Sequence, residues 1–280
     1  MAMKFYGQFE PPVDQFIYER YFIGRKTRGV LIECGAFDGI TECSGNFFEE
    51  TLDWACVNVE PYPPAFAKLV VNRPKSTNIN LALSSTSTSV EFTAVVHPVF
   101  GEDCNNGSIS HTARHRQDLD NIGCSYRTYR VATTTYSELV SKLKLVTIDL
   151  LVLDVEGHEP EVLKGMQQTP HSLLPKIICV EHGHLGVEAL KSPLEALGYT
   201  FDTTSFVNSF YVRNDIAAVL LPIDRGDRAL PWQIIDLEAA LRDCRAERDL
   251  AQANLALLAN SRSIKLTAPL RWLMARFRRN

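Results

Sequence analysis

The chain has 280 residues, of which 45% are hydrophobic and 22% are charged, a composition that gives a globular protein an ample core. Its formal net charge of −4 gives no overall bias toward nucleic acid, and we expect no nucleic-acid partner. The seven cysteines include no C-x-x-C pair, the first residues are too polar for a signal peptide, and no apolar run approaches the roughly eighteen residues of a membrane span. We therefore expect a cytoplasmic protein with reduced thiols.

Residues 1–28 are predicted to form a helical cap. After Pro12 the chain carries a helical face of apolar residues, formed by Phe16, Ile17, Tyr21 and Phe22. Such spacing is typical of an amphipathic helix that covers a neighbouring surface. We expect the cap to pack on the first strand without contacting a ligand.

The segment VLIECGAFDG, residues 30–39, predicts the start of an α/β fold. Its apolar run indicates a buried strand, and the glycines that follow let the backbone approach a ligand closely. Residues 41–52 are then predicted to be a helix. Strand, glycine turn and helix open a doubly wound fold, in which ligands lie beyond the carboxyl ends of the strands. The G-x-G-x-x-G fingerprint is not met, which argues against an NAD enzyme.

The order of residues in this turn, E-C-G-A-F-D-G, resembles motif I of S-adenosylmethionine (SAM) methyltransferases. The amino group, sulfonium and ribose diol of SAM all suit carboxylates. The resemblance places SAM against five residues, Glu33, Gly35, Ala36, Asp38 and Gly39. Glu60 ends the next predicted strand, where a carboxylate binds ribose in such folds. Ser84 follows the third strand, where an adenine contact and an ordinary loop fit equally well.

Residues 97–130 form a polar segment with three histidines, His97, His111 and His115. Long loops in compact domains usually serve a function or are disordered. The histidine spacing lacks the second close ligand pair that is typical of zinc sites, so we assign no zinc here. We favour a hydrogen-bonding lid over a substrate, with a solvent-facing loop as the alternative.

The segment IDLLVLDVEGHE, residues 148–159, predicts a central strand that ends in carboxylates. Its apolar run is typical of a strand covered on both faces. Asp154 and Glu156 follow at the same sheet edge as Glu33 and Glu60. Clustered carboxylates repel one another and usually bind a cation or move protons. Asp154 and Glu156 are therefore candidate catalytic residues, and Asp154 is also a candidate SAM contact.

The following strand, residues 176–181, ends in the sequence E-H-G-H. A hydroxyl that accepts a methyl group needs a base, and histidine suits that role near neutral pH; His182 is the candidate. In an alternative interpretation, Asp154, Glu181 and His182 bind Mg²⁺, which would acidify a hydroxyl. Residues 199–212 are predicted to form the antiparallel hairpin that closes the sheet.

Three segments, ECGAFDG, NVEP and IDLLVLDVEGHEPEVLKGM, together resemble the FkbM family of SAM-dependent O-methyltransferases. The block D-x-E-G-x-E-x-x-x-L-x-G, residues 154–165, is particularly close to the family's motif. The resemblance implies a Rossmann-like, seven-stranded class I methyltransferase sheet and methyl transfer to a hydroxyl, often on a sugar or a macrolide-type product. It also implies that motif I and Glu60 hold SAM, with Asp154 and Glu156 facing the methyl group and the acceptor.

The chain changes character after residue 221. Residues 235–260 carry an apolar seam at alternating three- and four-residue spacing, interrupted by Arg248. This seam predicts a short coiled-coil-like helix that either forms a homo-oligomer, the interpretation we favour, or folds back on the domain. Residues 261–280 carry six cations and no acid, with Trp272 and several leucines. A basic amphipathic segment of this kind indicates peripheral contact with the inner membrane face, or docking on an acidic surface.

We therefore divide the chain into a cap (1–28), a methyltransferase domain (29–221), a linker with a coiled-coil-like helix (222–260) and a basic tail (261–280). The expected activity is SAM-dependent O-methylation of a sugar hydroxyl in a glycan or glycolipid. The alternative is a non-catalytic SAM-binding scaffold that acts through its C-terminal helices.

Overall fold

The computed structural model describes residues 3–221 and 229–260, and the chain divides into two compact units between residues 228 and 229. The strands are β1 (Val30–Cys34), β2 (Ala55–Val59), β3 (Thr77–Ile79), β4 (Ala82–Leu83), β5 (Ser89–Val96), β6 (Ser125–Thr134), β7 (Leu150–Leu153), β8 (Ile177–Glu181), β9 (Tyr199–Ser205) and β10 (Asn208–Arg213). The α-helices are α1 (Val13–Ile17), α2 (Gly45–Leu52), α3 (Pro63–Asn72), α4 (Ala113–Asn121), α5 (Tyr136–Lys142), α6 (Glu159–Met166), α7 (Val187–Ala196), α8 (Asn214–Leu220) and α9 (Ala229–Asn260). The predicted tail, residues 261–280, lies outside the described residues.

The main sheet has seven strands in the order β3-β2-β1-β7-β8-β10-β9. The five strands from β3 to β8 are parallel, and β10 pairs antiparallel with both β8 and β9. This arrangement confirms the predicted seven-stranded sheet and its closing hairpin. The strand order reverses between β1 and β7, and ligands bind at such a switch point.

The core lies around the central strands, whose apolar runs are buried on both faces. Leu151 and Leu153 of β7 and Ile178 and Val180 of β8 are fully buried among helices α5, α6 and α7. Burying one such side chain stabilises the fold by about 1.5–3 kcal/mol relative to leaving it in water. The core therefore fixes β7 and β8 side by side, and with them the polar residues that follow each strand.

A separate three-stranded sheet, in the order β4-β6-β5, was not predicted from the sequence. Its strands β5 and β6 pair antiparallel with each other and stay outside the main sheet. The segment between them also contains a helix, α4, where the sequence predicted a loop. The helix begins after Thr112, whose hydroxyl accepts a hydrogen bond from the His115 amide at 3.1 Å, a typical N-cap.

The N-terminal cap packs on the domain through aromatic rings. It consists of α1 and a following π-helical turn, Tyr18–Phe22. The Phe16 ring lies 4.8 Å from that of Phe210, and the Phe22 ring lies 4.8 Å from that of Trp54.

Within the described ranges, no helix combines the length and the hydrophobicity that crossing a membrane requires.

Candidate functional site

A cavity of about 370 Å³ opens at the carboxyl ends of β1, β2, β7 and β8. Its size falls in the range of small-molecule sites. Six acidic or glycine residues predicted from the sequence line it: Glu33, Gly35, Glu60, Asp154, Glu156 and Glu181. Gln8, Phe9 and Val13 also line it. The N-terminal segment therefore forms part of the wall, contrary to the expectation that it would only cover the core.

The turn after β1 brings the backbone close to the end of β7. Gly35 has a φ of +85°, and a Cβ atom there would lie 1.9 Å from the Asp154 carbonyl oxygen. Only glycine combines that conformation with that approach. Glu33 is buried beneath the turn, where its Oε2 accepts hydrogen bonds from Cys43 Sγ (2.9 Å) and the Gly45 amide (3.0 Å). Burial raises the pKa of Glu33.

Three other turn residues support the cavity wall without lining it: Ala36, Asp38 and Gly39. The Asp38 carboxylate accepts hydrogen bonds from the amides of Ile40 (2.9 Å) and Thr41 (2.7 Å). These bonds hold residues 38–41 in a turn, so that α2 begins at Gly45 rather than at the predicted residue 41. The sequence therefore identified the turn correctly, but Asp38 organises its backbone and does not face the cavity.

Glu60 follows β2 and is buried in the cavity wall. Its Oε2 accepts a hydrogen bond from the Phe37 amide at 2.9 Å, and its Oε1 accepts one from the Tyr62 amide at 2.7 Å. Burial raises the pKa of Glu60 to about 7. The side chain thus ties the β1 turn to the start of α3.

Ser84 lies behind the cavity wall, to which Ala82 and Leu83 contribute instead. The Ser84 hydroxyl lies 3.1 Å from Nε2 of His158, and Nδ1 of His158 lies 2.8 Å from the Ser110 hydroxyl. Of the two interpretations of Ser84 left open by the sequence, the structure supports the ordinary turn.

Carboxyl groups cluster at the ends of β7 and β8. One oxygen from each of Asp154, Glu159 and Glu181 lies within 4.8 Å of the others. Asp154 is solvent-accessible where it lines the cavity, but the protein packed around it removes part of its hydration; this desolvation and the Glu181 and Glu156 carboxylates raise its pKa well above the usual value. Burial, with Glu156 and Glu159 nearby, raises the pKa of Glu181 to about 7. Such a group of oxygen atoms can share protons or hold a cation.

A second cluster adjoins the first and contains two histidines. The rings of His115 and His184 are parallel within 3°, with centroids 3.6 Å apart. Glu156 Oε2 lies 2.8 Å from His184 Nε2 and 3.6 Å from His115 Nδ1. Burial lowers the pKa of His115 to about 4, whereas the close contact with the Glu156 carboxylate raises the pKa of His184. Glu156 adopts a φ of +57°, a strained conformation for a residue with a side chain.

The family comparison agrees with this arrangement of strands and acidic residues. The family described as "Methyltransferase FkbM domain" matches residues 33–210, which is more than half of the chain. The chain belongs to this family. Membership implies SAM as the methyl donor, and the cavity of this FkbM domain fits that cofactor in its chemistry, because acidic side chains, which suit a sulfonium and an amino group, line the cavity.

Solved structures show more distant similarity to this FkbM domain. The FkbM methyltransferase from Methylobacillus flagellatus KT is 13% identical, with 70% of this chain and 47% of that chain covered and a TM-score of 0.42. The METTL16 MTase domain is 8% identical, with 73% and 67% covered and a TM-score of 0.42. The Methanococcus jannaschii fibrillarin pre-rRNA processing protein is 12% identical, with 71% and 72% covered and a TM-score of 0.36. The chain thus spans about half the length of the first of these proteins. A comparison with curated proteins finds no match.

The FkbM domain places His182 away from the acidic clusters, which corrects the prediction for that residue. Nδ1 of His182 lies 2.9 Å from the Ser209 hydroxyl on β10, and the side chain does not line the cavity. Among the described residues, His182 belongs to neither group that could hold a metal. The predicted set of Asp154, Glu181 and His182 is therefore not assembled, and Glu159 takes the place of the histidine.

His184 lines the cavity because the chain turns sharply after β8. The amides of Leu185 (3.1 Å) and Gly186 (2.7 Å) both donate to the His182 carbonyl oxygen. This turn brings His184 back over Glu156. Sequence reasoning missed His184, His115 and Glu159 as site residues. The E-H-G-H sequence signalled the location, but only the geometry of the turn decides which histidine enters the cavity.

Proposed function

We propose that the protein is a SAM-dependent O-methyltransferase and that its acceptor is a sugar hydroxyl of a glycan or glycolipid. The observation that carries the proposal is a single cavity joining the glycine turn of β1 and Glu60 to the carboxyl cluster that follows β7 and β8. The first part suits a cofactor with a ribose and a sulfonium. The second part suits removal of a proton from the acceptor.

The cofactor part of the cavity is built from fixed groups. The Gly35 turn lets the ligand reach the backbone, and Glu60 keeps lone pairs free to accept hydrogen bonds from the ribose diol. Its carboxyl is already held by the amides of Phe37 and Tyr62. A preorganised acceptor of this kind limits the ordering cost of binding.

Methyl transfer is an in-line displacement at the sulfonium methyl carbon. The acceptor oxygen forms a bond to carbon, the carbon–sulfur bond breaks, and sulfur keeps the electron pair. The hydroxyl proton must pass to a base within hydrogen-bond reach. Glu181 and Asp154 line the cavity together, and we assign Glu181 as the base, with Asp154 beside it. Alignment of the two reactants supplies much of the acceleration.

The charge of the wall favours a neutral acceptor. Among the described residues, no lysine or arginine lines the cavity, whereas six acidic residues do: Glu33, Glu42, Glu60, Asp154, Glu156 and Glu181. A phosphate or sulfate group would meet repulsion from these carboxylates, and no lysine or arginine among the described wall residues offsets it. Neutral hydrogen-bonding side chains complete the wall: Gln8, Asn105, Asn106, Ser108 and Asn208. Such groups match the hydroxyls of a sugar.

The test is methyl transfer from labelled SAM to a panel of neutral and phosphorylated glycans and glycolipids. We expect turnover on neutral acceptors. Glu181→Gln and Asp154→Asn should lower kcat by about 10²–10⁴-fold, the usual contribution of acid–base catalysis, with a far smaller effect on SAM affinity. His182→Asn, a control outside the cavity, should retain turnover. Wild-type turnover by both carboxyl variants would remove these residues from the mechanism.

The non-catalytic scaffold remains the second candidate because α9 exposes large apolar side chains, among them Leu237 and Leu255. A scaffold would bind SAM stoichiometrically and transfer no methyl group to any member of the acceptor panel. That result would favour the scaffold over the enzyme.

A further inference from the structure

The cluster of His115, Glu156 and His184 contains two buried polar atoms that lack hydrogen-bond partners. His115 is 4% exposed and Glu156 is 9% exposed. Within the described residues, His115 Nδ1 and Glu156 Oε2 have no partner in hydrogen-bonding geometry: the two atoms lie 3.6 Å apart, and the 2.8 Å contact of Oε2 with His184 Nε2 is an ion-pair contact without that geometry. Buried polar atoms are almost always hydrogen-bonded, so unsatisfied ones require an explanation.

An ion pair between His184 and Glu156 explains only half of this arrangement. The 2.8 Å distance between His184 Nε2 and Glu156 Oε2 suits such a pair. It gives no reason for His115 to stack on His184 and direct Nδ1 toward the same carboxylate oxygen. One electron-pair acceptor, placed among His115 Nδ1, His184 Nε2 and Glu156 Oε2, satisfies all three atoms.

The spacing of the three atoms suits a metal ion. Donors held about 2.0–2.1 Å from a tetrahedral zinc lie roughly 3.3 Å from one another, and the two observed distances to Glu156 Oε2, 2.8 Å and 3.6 Å, bracket that value. Asn106 holds the second carboxylate oxygen, with Nδ2 3.2 Å from Oε1. Outer hydrogen bonds of this kind orient the ligands of metal sites.

The strained backbone of Glu156 also supports a ligand site at these three side chains. Its φ of +57° is followed by Gly157 at +97°, and this turn leaves the Glu156 side chain facing two histidines from other elements. His115 comes from α4 and His184 from the turn after β8. Non-glycine residues persist in this conformation where the surroundings hold them, often at ligand sites.

We propose that His115, Glu156 and His184 bind one divalent transition-metal ion of the zinc, cobalt or iron class. Imidazole ligands select such ions over Mg²⁺, which prefers oxygen. Three protein ligands leave at least one position open, as in catalytic zinc sites, and Glu156 and His184 both line the cavity. A ligand nitrogen binds a metal in the plane of its ring, so metal binding tilts the two parallel rings apart.

Under the proposed methyltransferase function, the open position receives the acceptor hydroxyl. The ion draws electron density from the oxygen and acidifies the hydroxyl. Glu181, whose Oε1 lies 3.8 Å from His184 Nε2, then takes the proton while the oxygen attacks the methyl carbon. This role depends on the proposed function, but metal binding itself does not.

The experiment is a titration of chelator-treated, full-length protein with Co²⁺, followed by Zn²⁺. Calorimetry and the visible absorption of Co²⁺ should show one site without a thiolate charge-transfer band, and Zn²⁺ should displace Co²⁺ while excess Mg²⁺ should not. His115→Ala and His184→Ala should each weaken binding by more than the roughly 10- to 100-fold that loss of an outer hydrogen-bond partner costs.

Two histidine variants serve as matched controls. His182 is outside the ligand set, so His182→Ala should bind Co²⁺ as the wild type does. His111, whose Nε2 lies 2.7 Å from the Asn106 carbonyl oxygen, is at most an outer partner, so His111→Ala should weaken Co²⁺ binding by no more than about 10- to 100-fold. Glu156→Gln keeps the side-chain shape and should lose the metal while retaining SAM binding, which verifies its fold. Absence of a stoichiometric site, or binding unchanged in His115→Ala, His184→Ala and Glu156→Gln, would overturn the proposal. No acceptor is needed, so the outcome is independent of whether methyl transfer is detected.

Discussion

Glu60 is the residue on which we expect SAM affinity to depend most directly. Glu60→Gln keeps the shape of the side chain and removes its charge. We expect SAM binding to weaken by about 1.5–3 kcal/mol, the scale of a hydrogen bond to a charged group, as measured by calorimetry. The control is Glu91→Gln, at an exposed position of β5 away from the cavity. Unchanged affinity in a folded Glu60 variant would refute the ribose assignment.

The raised pKa of Glu60 also predicts a pH dependence of stability. Folding raises this pKa from 4.5 to about 7 through burial, so the ligand-free fold favours the protonated carboxyl. This contribution to the free energy of unfolding is complete below about pH 4.5 and is lost as the pH rises through 7. Its largest value is about 3 kcal/mol. The Tm of the wild type should therefore fall relative to that of Glu60→Gln across this range. Parallel Tm curves for the two proteins would contradict the prediction.

At the residue scale, strand ends and the β1 turn could be predicted from the sequence, but the paths of the segments that carry His115 and His184 could not. The carboxyl ends of parallel strands lie at the same edge of the sheet. The apolar runs that end in Glu33, Glu60 and Asp154 therefore located the cavity. His115 and His184 reach it through an inserted helix and a tight turn, whose paths depend on tertiary packing. The choice of His182 over His184 failed for that reason.

At the element scale, the β1 turn requires glycine both for its φ and for its contact with β7. Gly35→Ala should strongly destabilise the protein, because a Cβ atom would lie 1.9 Å from the Asp154 carbonyl oxygen. Gly123 is a matched control, since its φ of +81° is similar and nothing lies within 4 Å of its Cβ position. Gly123→Ala should cost only the conformational term, about 1–2 kcal/mol. Chemical denaturation measures both, and equal costs would show that the contact is unimportant.

Periodicity predicted the elements of the main sheet well, because strands buried on both faces carry uninterrupted apolar runs. It did not predict the second sheet, since an alternating strand such as β5 has the same pattern whichever sheet it joins. The helix α4 was missed because its sequence, ARHRQDLDN, is too polar to show an apolar face. Its N-cap at Thr112 was the available signal.

At the scale of the whole molecule, α9 predicts self-association. Its seam follows the three-and-four spacing of a coiled coil, and Leu241 on that seam is 50% exposed in the single chain. Leu241→Glu should shift the protein from dimer to monomer in analytical ultracentrifugation. Leu250, 65% exposed and off the seam, provides the matched control, since Leu250→Glu should leave the dimer intact. A monomeric wild type would refute the prediction.

The basic tail, residues 261–280, leads to a prediction of membrane contact. Its six cations are each worth about 1 kcal/mol near an anionic leaflet, and a lipid-linked acceptor would then meet the enzyme at the membrane surface. Deleting the tail should abolish co-sedimentation with anionic liposomes and leave SAM binding intact. A full-length protein that ignores such liposomes at low salt would contradict the idea.

The pairing of Val96 with Ser125 has a consequence for how this fold can acquire new substrates. The segment between them, residues 97–124, leaves and re-enters the domain at adjacent points, and it carries Asn106, Ser108 and His115 to the cavity cluster. The residues proposed to hold the cofactor lie elsewhere, at the ends of main-sheet strands. Under the proposed function, part of the acceptor side of the wall thus comes from one segment whose ends are adjacent, and this segment can be replaced at little cost in loop closure. Under the proposed function, exchanging residues 97–124 between relatives changes the specificity for the acceptor and leaves the methyl donor unchanged.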